Sequence, residues 1–361
     1  MSKAGVEDHG TGSGFAHTQA GLTLLELLLV VSILSATAML AIATVGDDAA
    51  QQRLRQTEHR LLTLKQAAIQ VRTFGVERLS LASGYVVDNG RLPPCVQGLL
   101  EADDCDDATD PAVADFLPYE LQTPVFDPTP DGNGFNNNSG DEENLGNARL
   151  WKGFRPVYLP DLIGDSFRDG WGSQGSAGSA DCPDEGVTSE YSDAWNHGWC
   201  VVLESERITW KSYGRDGLDE VTAAYADPAP YDDDLSLTLE EGEWAQPVTT
   251  LTINVTTGTG VTISSSSSNL AVALVEFVNG QGRQYWRQTF SAPAAYSIPN
   301  SSTESFTLTL NQPLPVGRHT LVLISHDGTG PTELISPDWT TTIEVFPFTG
   351  LPSSTINWTI E

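Results

Sequence analysis

The 361-residue chain carries 18 lysines and arginines against 48 aspartates and glutamates, a formal net charge of −30. Such a surface repels nucleic acid and anionic lipid head groups, which excludes a nucleic-acid partner; it suits an extracytoplasmic protein or one that binds divalent cations. The length allows two or three domains with sizeable cores, and a hydrophobic content of 39% is lowish but still globular.

Residues 1–21, "MSKAGVEDHGTGSGFAHTQAG", are polar, rich in Gly and Ser and without periodicity, and read as a disordered leader or tail. Residues 22–45, "LTLLELLLVVSILSATAMLAIATV", are an apolar run broken only by Glu26 and small hydroxyl residues. As a helix at ~1.5 Å per residue this run reaches about 36 Å, enough to cross a ~30 Å hydrocarbon core. An amphipathic half follows over 46–87. There Leu54, Thr57, Leu61, Leu64, Ala68 and Val71 recur at spacings of three and four, with Arg53, Arg55, Arg60 and Lys65 between them. No proline interrupts the pattern, which predicts one long helix to about residue 80, half in lipid and half laid on a globular head.

Residues 88–235 are loop-rich and hold all four cysteines, Cys95, Cys105, Cys182 and Cys200. An even number in two local pairs favours disulfides and an oxidising compartment. Three pairings are possible; short loop closure favours Cys95–Cys105 with Cys182–Cys200, and zinc, the competing reading, lacks a close Cys-x-x-Cys spacing. The runs 198–204 and 206–214 predict a hairpin. "DPTPDG" (127–132) starts like an EF-type loop, but its stiff prolines and Asn138 at the closing position favour a disordered acidic insertion. Trp151, Trp171, Trp195, Trp199 and Trp210 are expected mostly in the core, an exposed one offering a contact for sugar or a partner.

From 236 the pattern changes to alternating runs separated by turn residues, at 248–255, 270–278, 283–290, 304–310, 318–325, 340–346 and 354–360. Seven strands in this length predict an antiparallel, immunoglobulin-like sandwich over 236–361, with no disulfide between its sheets. The expected fold is thus α+β: a long helix on a small loop-rich β head, then an all-β domain.

"GLTLLELLLVV" (21–31) closely resembles the N-terminal signal of type IV pilins and type II secretion pseudopilins. "GRLP" (90–93), "LPDLIG" (159–164), "DGWG" (169–172) and "SYGRDG" (212–217) are similar, in order, to motifs of pseudopilin-like heads. The resemblance implies that a prepilin peptidase cuts between Gly21 and Leu22 and methylates the new Leu22 amine, and that Glu26 is the fifth-position carboxylate used in assembly. It implies insertion in the inner membrane as a single pass with a periplasmic head, and partners that are other pilin or pseudopilin subunits and the inner-membrane assembly machinery. The 236–361 segment lies outside the family pattern, and its ligand is unknown.

Glu26 has two readings, a carboxylate near a helix end that snorkels to the interface, and a role that follows from cleavage. Cleavage exposes an α-amine of pKa near ~8, and in a filament Glu26 of one subunit neutralises the Leu22 amine of its neighbour. An unpaired charge at the bilayer centre costs at least about 2.5–3.5 kcal/mol. Further on, Asp216 and Asp219 on a Gly-containing turn, closed by Asp232, Asp233 or Asp234, offer the oxygen ligands that calcium takes; a solvated acidic linker is the plain alternative. No Gly-x-Ser-x-Gly, His-Glu-x-x-His, P-loop or dinucleotide fingerprint occurs, so no enzyme is expected. Three readings remain: a minor filament subunit, an adhesin or binding module displayed on a filament, and a conventionally secreted protein cut after Ala38 or Ala43.

Overall fold

The computed structural model describes residues 24–74, 79–94, 96–99, 116–130, 132, 134–136, 140–146, 148–155, 158–159, 199–204, 206–212, 235–265, 269–280, 285–348, 351 and 354–361. One N-terminal helix is followed by a mostly β body, and the chain divides into two compact units, Met1–Gln52 and Arg53–Glu361.

Helix α1 spans Leu24–Ala68. Within the second unit it buries Thr57, Arg60, Leu61, Leu64, Ala67 and Ala68, at the three-and-four spacing of one helix face. The helix is shorter than the expected reach to about residue 80. From Ile69 the sequence "IQVRTF" alternates β-branched with polar residues, and the chain turns into an antiparallel hairpin of β1 (Gln70–Phe74) and β2 (Leu79–Ser83). The expected amphipathic helix over 46–87 is therefore helix, hairpin and the short α2 (Tyr85–Asn89). Gly84 makes the return possible. It has φ +121°, and a Cβ there would lie 2.9 Å from the Ala68 carbonyl oxygen that ends α1.

The middle of the chain forms β3 (Glu120–Gln122), β4 (Val125–Phe126), β5 (Glu143–Asn144) and β6 (Leu150–Lys152), paired as β3–β6 and β4–β5. The expected hairpin is present as β7 (Cys200–Leu203) and β8 (Ile208–Ser212), antiparallel. β9 (Leu235–Leu239) adds to its free edge, so this sheet runs through the 235/236 boundary. Its buried Ile208, Trp210 and Leu239 share a core with Leu61, Leu64 and Ala68 of α1. Asp127 departs from the disordered insertion expected at 127–132. It is buried, its backbone N–H donates to Gln288 at 3.1 Å, and its carboxylate accepts from the Thr129 N–H at 2.8 Å in a tight turn.

Then follow α3 (Glu241–Trp244), β10 (Ala245–Gln246), β11 (Thr250–Thr257), β12 (Ile263–Ser264), β13 (Asn269–Phe277), β14 (Trp286–Phe290), β15 (Ser297–Ile298), β16 (Thr303–Thr309), β17 (Leu314–Pro315), β18 (Gly317–His326), β19 (Pro331–Leu334), β20 (Thr340–Val345) and β21 (Thr355–Ile360). All seven expected strands are present. They make two main sheets, β16-β11-β21 and β14-β13-β18 with β19 and β20 both on β18. Leu251, Ile253, Phe306 and Trp358 of the first meet Leu270, Val272, Leu321 and Ile343 of the second in a shared core.

Two features differ from the expected immunoglobulin-like, antiparallel arrangement. β11 and β21 pair in parallel, and β11 and β13 lie in different sheets, whereas the first two strands of an immunoglobulin sandwich share one. The second sheet is also covered on its other face: Ala271, Ala273, Val275, Phe277 and Val322 pack with Phe126, Leu145 and Ala148 from the middle of the chain. The expected 88–235 and 236–361 segments thus belong to one compact unit.

Phe126 is fully buried and meets Phe290 edge-on at 6.3 Å between ring centroids. Phe126→Ala is expected to destabilise the whole Arg53–Glu361 unit by about 3–5 kcal/mol. Urea unfolding should show one transition at a lower midpoint; two separable transitions would mean the segments are energetically independent.

Candidate functional site

Leu24–Ala41 has a mean hydropathy of 2.3 over 18 residues and buries none of them. Leu24 is 81% exposed and Met39 74%. By length and apolarity this segment qualifies as a membrane anchor or a signal sequence. Its hydroxyls are satisfied internally: Ser32 donates to the Leu29 carbonyl, Ser35 to Val31 (both 2.8 Å) and Thr37 to Ile33 (3.0 Å). Glu26 is the one charged residue of the segment and lies in the first turn of α1, where the helix dipole favours an acid. Gly21 and Leu22 lie outside the described residues.

Cys200 is buried at the start of β7 and is disulfide-bonded. Cys95, Cys105 and Cys182 lie outside the described residues, as do Asp216, Asp219, Asp232, Asp233 and Asp234. Ser212 of β8 and Leu235 of β9 are register partners. Among the described residues, no group of three or more His, Cys, Asp and Glu is placed to hold a metal ion.

A cleft of about 240 Å³ opens where α2, β6, β18 and β20 converge. Its wall carries Arg149, Lys152, Arg155 and Arg318, with Tyr119 and Trp151 beside them. Trp151 alternates outward on β6 and is 61% exposed. Its ring stacks with Tyr119 at 5.6 Å, and the Arg155 guanidinium sits 4.0 Å from the Tyr119 centroid. Arg155 also pairs through Nε with Asp88 at 2.8 Å and donates from Nη2 to the Tyr119 hydroxyl at 2.8 Å. Lys152 is buried and donates to the Val87 carbonyl at 2.5 Å. Gly317 beside it has φ +125°, a backbone conformation that favours glycine.

Burial dominates the electrostatics here. It raises the Asp88 carboxyl to about 6 against the pull of Arg155 and Lys152, and it lowers the Lys152 amine to about 8 against Asp88 and Glu276. Behind the cleft, His319 is buried with a ring nitrogen 2.7 Å from the Pro315 carbonyl; burial, then Lys152, push it down to about 3.

Of the tryptophans singled out in the sequence, Trp199 and Trp210 are core and Trp151 is the exposed one; Trp171 and Trp195 lie outside the described residues. The cations of the cleft escaped the sequence reading. The available signal was "RLWKGFR" (149–155), three cations around a tryptophan in a chain with only 18 lysines and arginines.

No protein-family model matches the sequence, and no curated protein matches it. A solved structure from Bacteroides fragilis, described as a "putative cell adhesion protein", is 8% identical over 44% of this chain. The match spans 61% of that protein's length with a TM-score of 0.17, too low to support an argument about fold or function.

Protonation of His319 and Asp88 has opposite consequences on acidification. The unfolded chain takes up a proton at His319 near pH 6.5, whereas the folded chain resists it to about 3, so stability falls as pH falls through that window. Asp88 is protonated in the folded chain at about 6 and unfolded near 3.8, so it adds stability as pH falls between them. His319→Gln, able to keep the bond to Pro315, is expected to lose less of its urea midpoint than wild type between pH 6.5 and 4.

Proposed function

We propose that the chain is a structural subunit, a minor one, of a type IV pilus-like or type II secretion pseudopilus filament. A prepilin peptidase trims it after Gly21, and it assembles through its N-terminal helix. The observation that carries this reading is the fully exposed apolar segment Leu24–Ala41 with one carboxylate, Glu26, in its first turn. A surface so apolar needs lipid or other helices around it, and within lipid a nearby cation stabilises a carboxylate. The Leu22 amine created by cleavage supplies one, and pairing between neighbouring subunits gives register to helices that otherwise pack without it. The bulk of the β body argues for a minor component, because copies in every subunit would crowd the filament. In this reading the body is periplasmic before assembly and lies in the envelope or outside the cell afterwards.

The mature N-terminus decides between this reading and conventional secretion. Mass spectrometry of the purified protein is expected to find N-methylated Leu22, and a mature chain beginning at Met39 or Thr44 would overturn it. Glu26→Ala is expected to be cleaved normally yet lost from sheared filaments.

The same reading makes Asp216, Asp219 and Asp232–Asp234 a calcium-binding loop. The Ser212–Leu235 register pair supports it by bringing the two ends of that segment together. Chelation with EGTA should then lower the Tm of the wild type and leave an Asp216→Asn, Asp219→Asn double variant unmoved; equal responses of the two would exclude these ligands.

A further inference from the structure

The cleft beside β6 is formed by residues of the Arg53–Glu361 unit, and its composition runs against the net charge of the chain. Arg149, Lys152, Arg155 and Arg318 converge there in a chain of net charge −30, with Asp88 and Glu344 as the acids of its wall among the described residues. The guanidiniums keep donors to spare. Arg149 makes no hydrogen bond or ion pair with any described residue. Arg318 meets Glu344 only through Nε at 3.5 Å and is 64% exposed. Arg155 is oriented through Nε and Nη2, which leaves Nη1 open.

Beside these donors lies a flat aromatic surface. Trp199, Trp210, Trp244, Trp286 and Trp358 are buried, whereas Trp151 is exposed and stacked with Tyr119, and Leu121 opposite it on β3 is 41% exposed. An exposed indole lying along a row of guanidiniums provides stacking for an apolar ring face and forked donors for a carboxylate. The cleft, at about 240 Å³, accommodates one ring-sized group.

We propose that this cleft binds a carboxylate-bearing sugar, a uronate unit of an acidic polysaccharide, with the exposed Trp151 ring, backed by Tyr119, stacking on the pyranose and Arg149, Arg155 and Arg318 receiving the carboxylate. Lys152, buried behind them, adds positive potential without contact. A sugar fits better than an acidic peptide because the platform is flat and short. The proposal stands whatever the fate of the N-terminal segment.

The test is a tryptophan-fluorescence titration of the full-length chain in detergent with trigalacturonate at 0.15 M salt, against an uncharged trisaccharide and a triglutamate peptide. Trigalacturonate is expected to change the fluorescence and bind at least about tenfold more tightly than the uncharged trisaccharide, the worth of one charge-assisted hydrogen bond, and more tightly than triglutamate, which has the carboxylates but no ring face to stack. Arg149→Ala should weaken binding about tenfold with unchanged Tm, because its side chain is exposed, and Trp151→Ala should weaken it about fivefold or more, with at most a small drop in Tm from the lost stacking on Tyr119. Arg207→Ala, whose guanidinium pairs with Glu204 outside the cleft, should bind like wild type. Failure of trigalacturonate to bind, tighter binding of triglutamate, or undiminished binding by both cleft variants would overturn the proposal.

Discussion

The fold from Arg53 onward depends on a sheet that is buried on both faces. β13 and β18 send Leu270, Val272, Leu274, Leu321 and Leu323 into the core of the sandwich, and Ala271, Ala273, Val275, Phe277, Val322 and Ile324 to the other side. A sheet apolar on both faces needs two covers. The β16-β11-β21 sheet is one; Phe126, Leu145 and Ala148 belong to the other. The second contact is also tied by polar groups. Asn279 donates from Nδ2 to Asn89 at 2.8 Å and accepts from the Leu117 N–H at 2.8 Å, and Arg91 donates to the Gly280 carbonyl at 2.7 Å. Gly90 approaches so closely that a Cβ there would lie 1.8 Å from the Phe277 carbonyl oxygen. Directional bonds of this kind fix one docking geometry where apolar packing alone tolerates several.

The contrast between the two sheets explains which parts of the fold were readable. The outer face of β16-β11-β21 presents Thr252, Asn254 and Thr256 flanked by Thr307, Ser305 and Thr303 on one side and Thr355, Asn357 and Thr359 on the other. Those side chains bond across the strands, as Ser305 does to Asn254 at 2.6 Å, and the alternation of apolar and polar residues locates each strand. In β13 the run "LAVALVEF" also signals a strand, but one buried on both sides. It states that a second cover exists without saying which residues supply it. That silence is why a boundary at 235/236 looked natural. The order of the strands was equally illegible, because a parallel β11–β21 pair and an antiparallel one are built from the same alternating residues. The end of α1 at Ala68 is hidden in the sequence for a different reason. Val71 continues the helical spacing from Ala68, but Ile69, Val71 and Thr73 also alternate with period two, and tertiary pairing with Leu79–Ser83 decides in favour of the strand.

Functional residues divide in the same way. Glu26 is visible in one dimension, because a charge inside an apolar run violates its local context. The cleft is assembled from α2, β6 and β18, and its cations lie as far apart in sequence as Arg149 and Arg318. Only the fold brings them together, and only burial separates Trp151 from the tryptophans that serve as core.

The acidity of the whole molecule bears on what such a cleft can hold. At physiological salt the field of the surrounding carboxylates decays over about 8 Å, whereas a carboxylate in contact with guanidiniums is screened far less. A dense polyanion seated in the cleft would carry further charges beyond it, against a surface of net charge −30. A ligand with one carboxylate per ring gains the local contact and adds less repulsion for each unit that lies outside. The acidic surface thereby acts with the cleft: the arginines supply attraction at one point, and the rest of the molecule penalises ligands whose charge is too dense. In the proposed binding mode, an acidic sugar is favoured over a polyphosphate-like chain by that opposition as well as by the arginines.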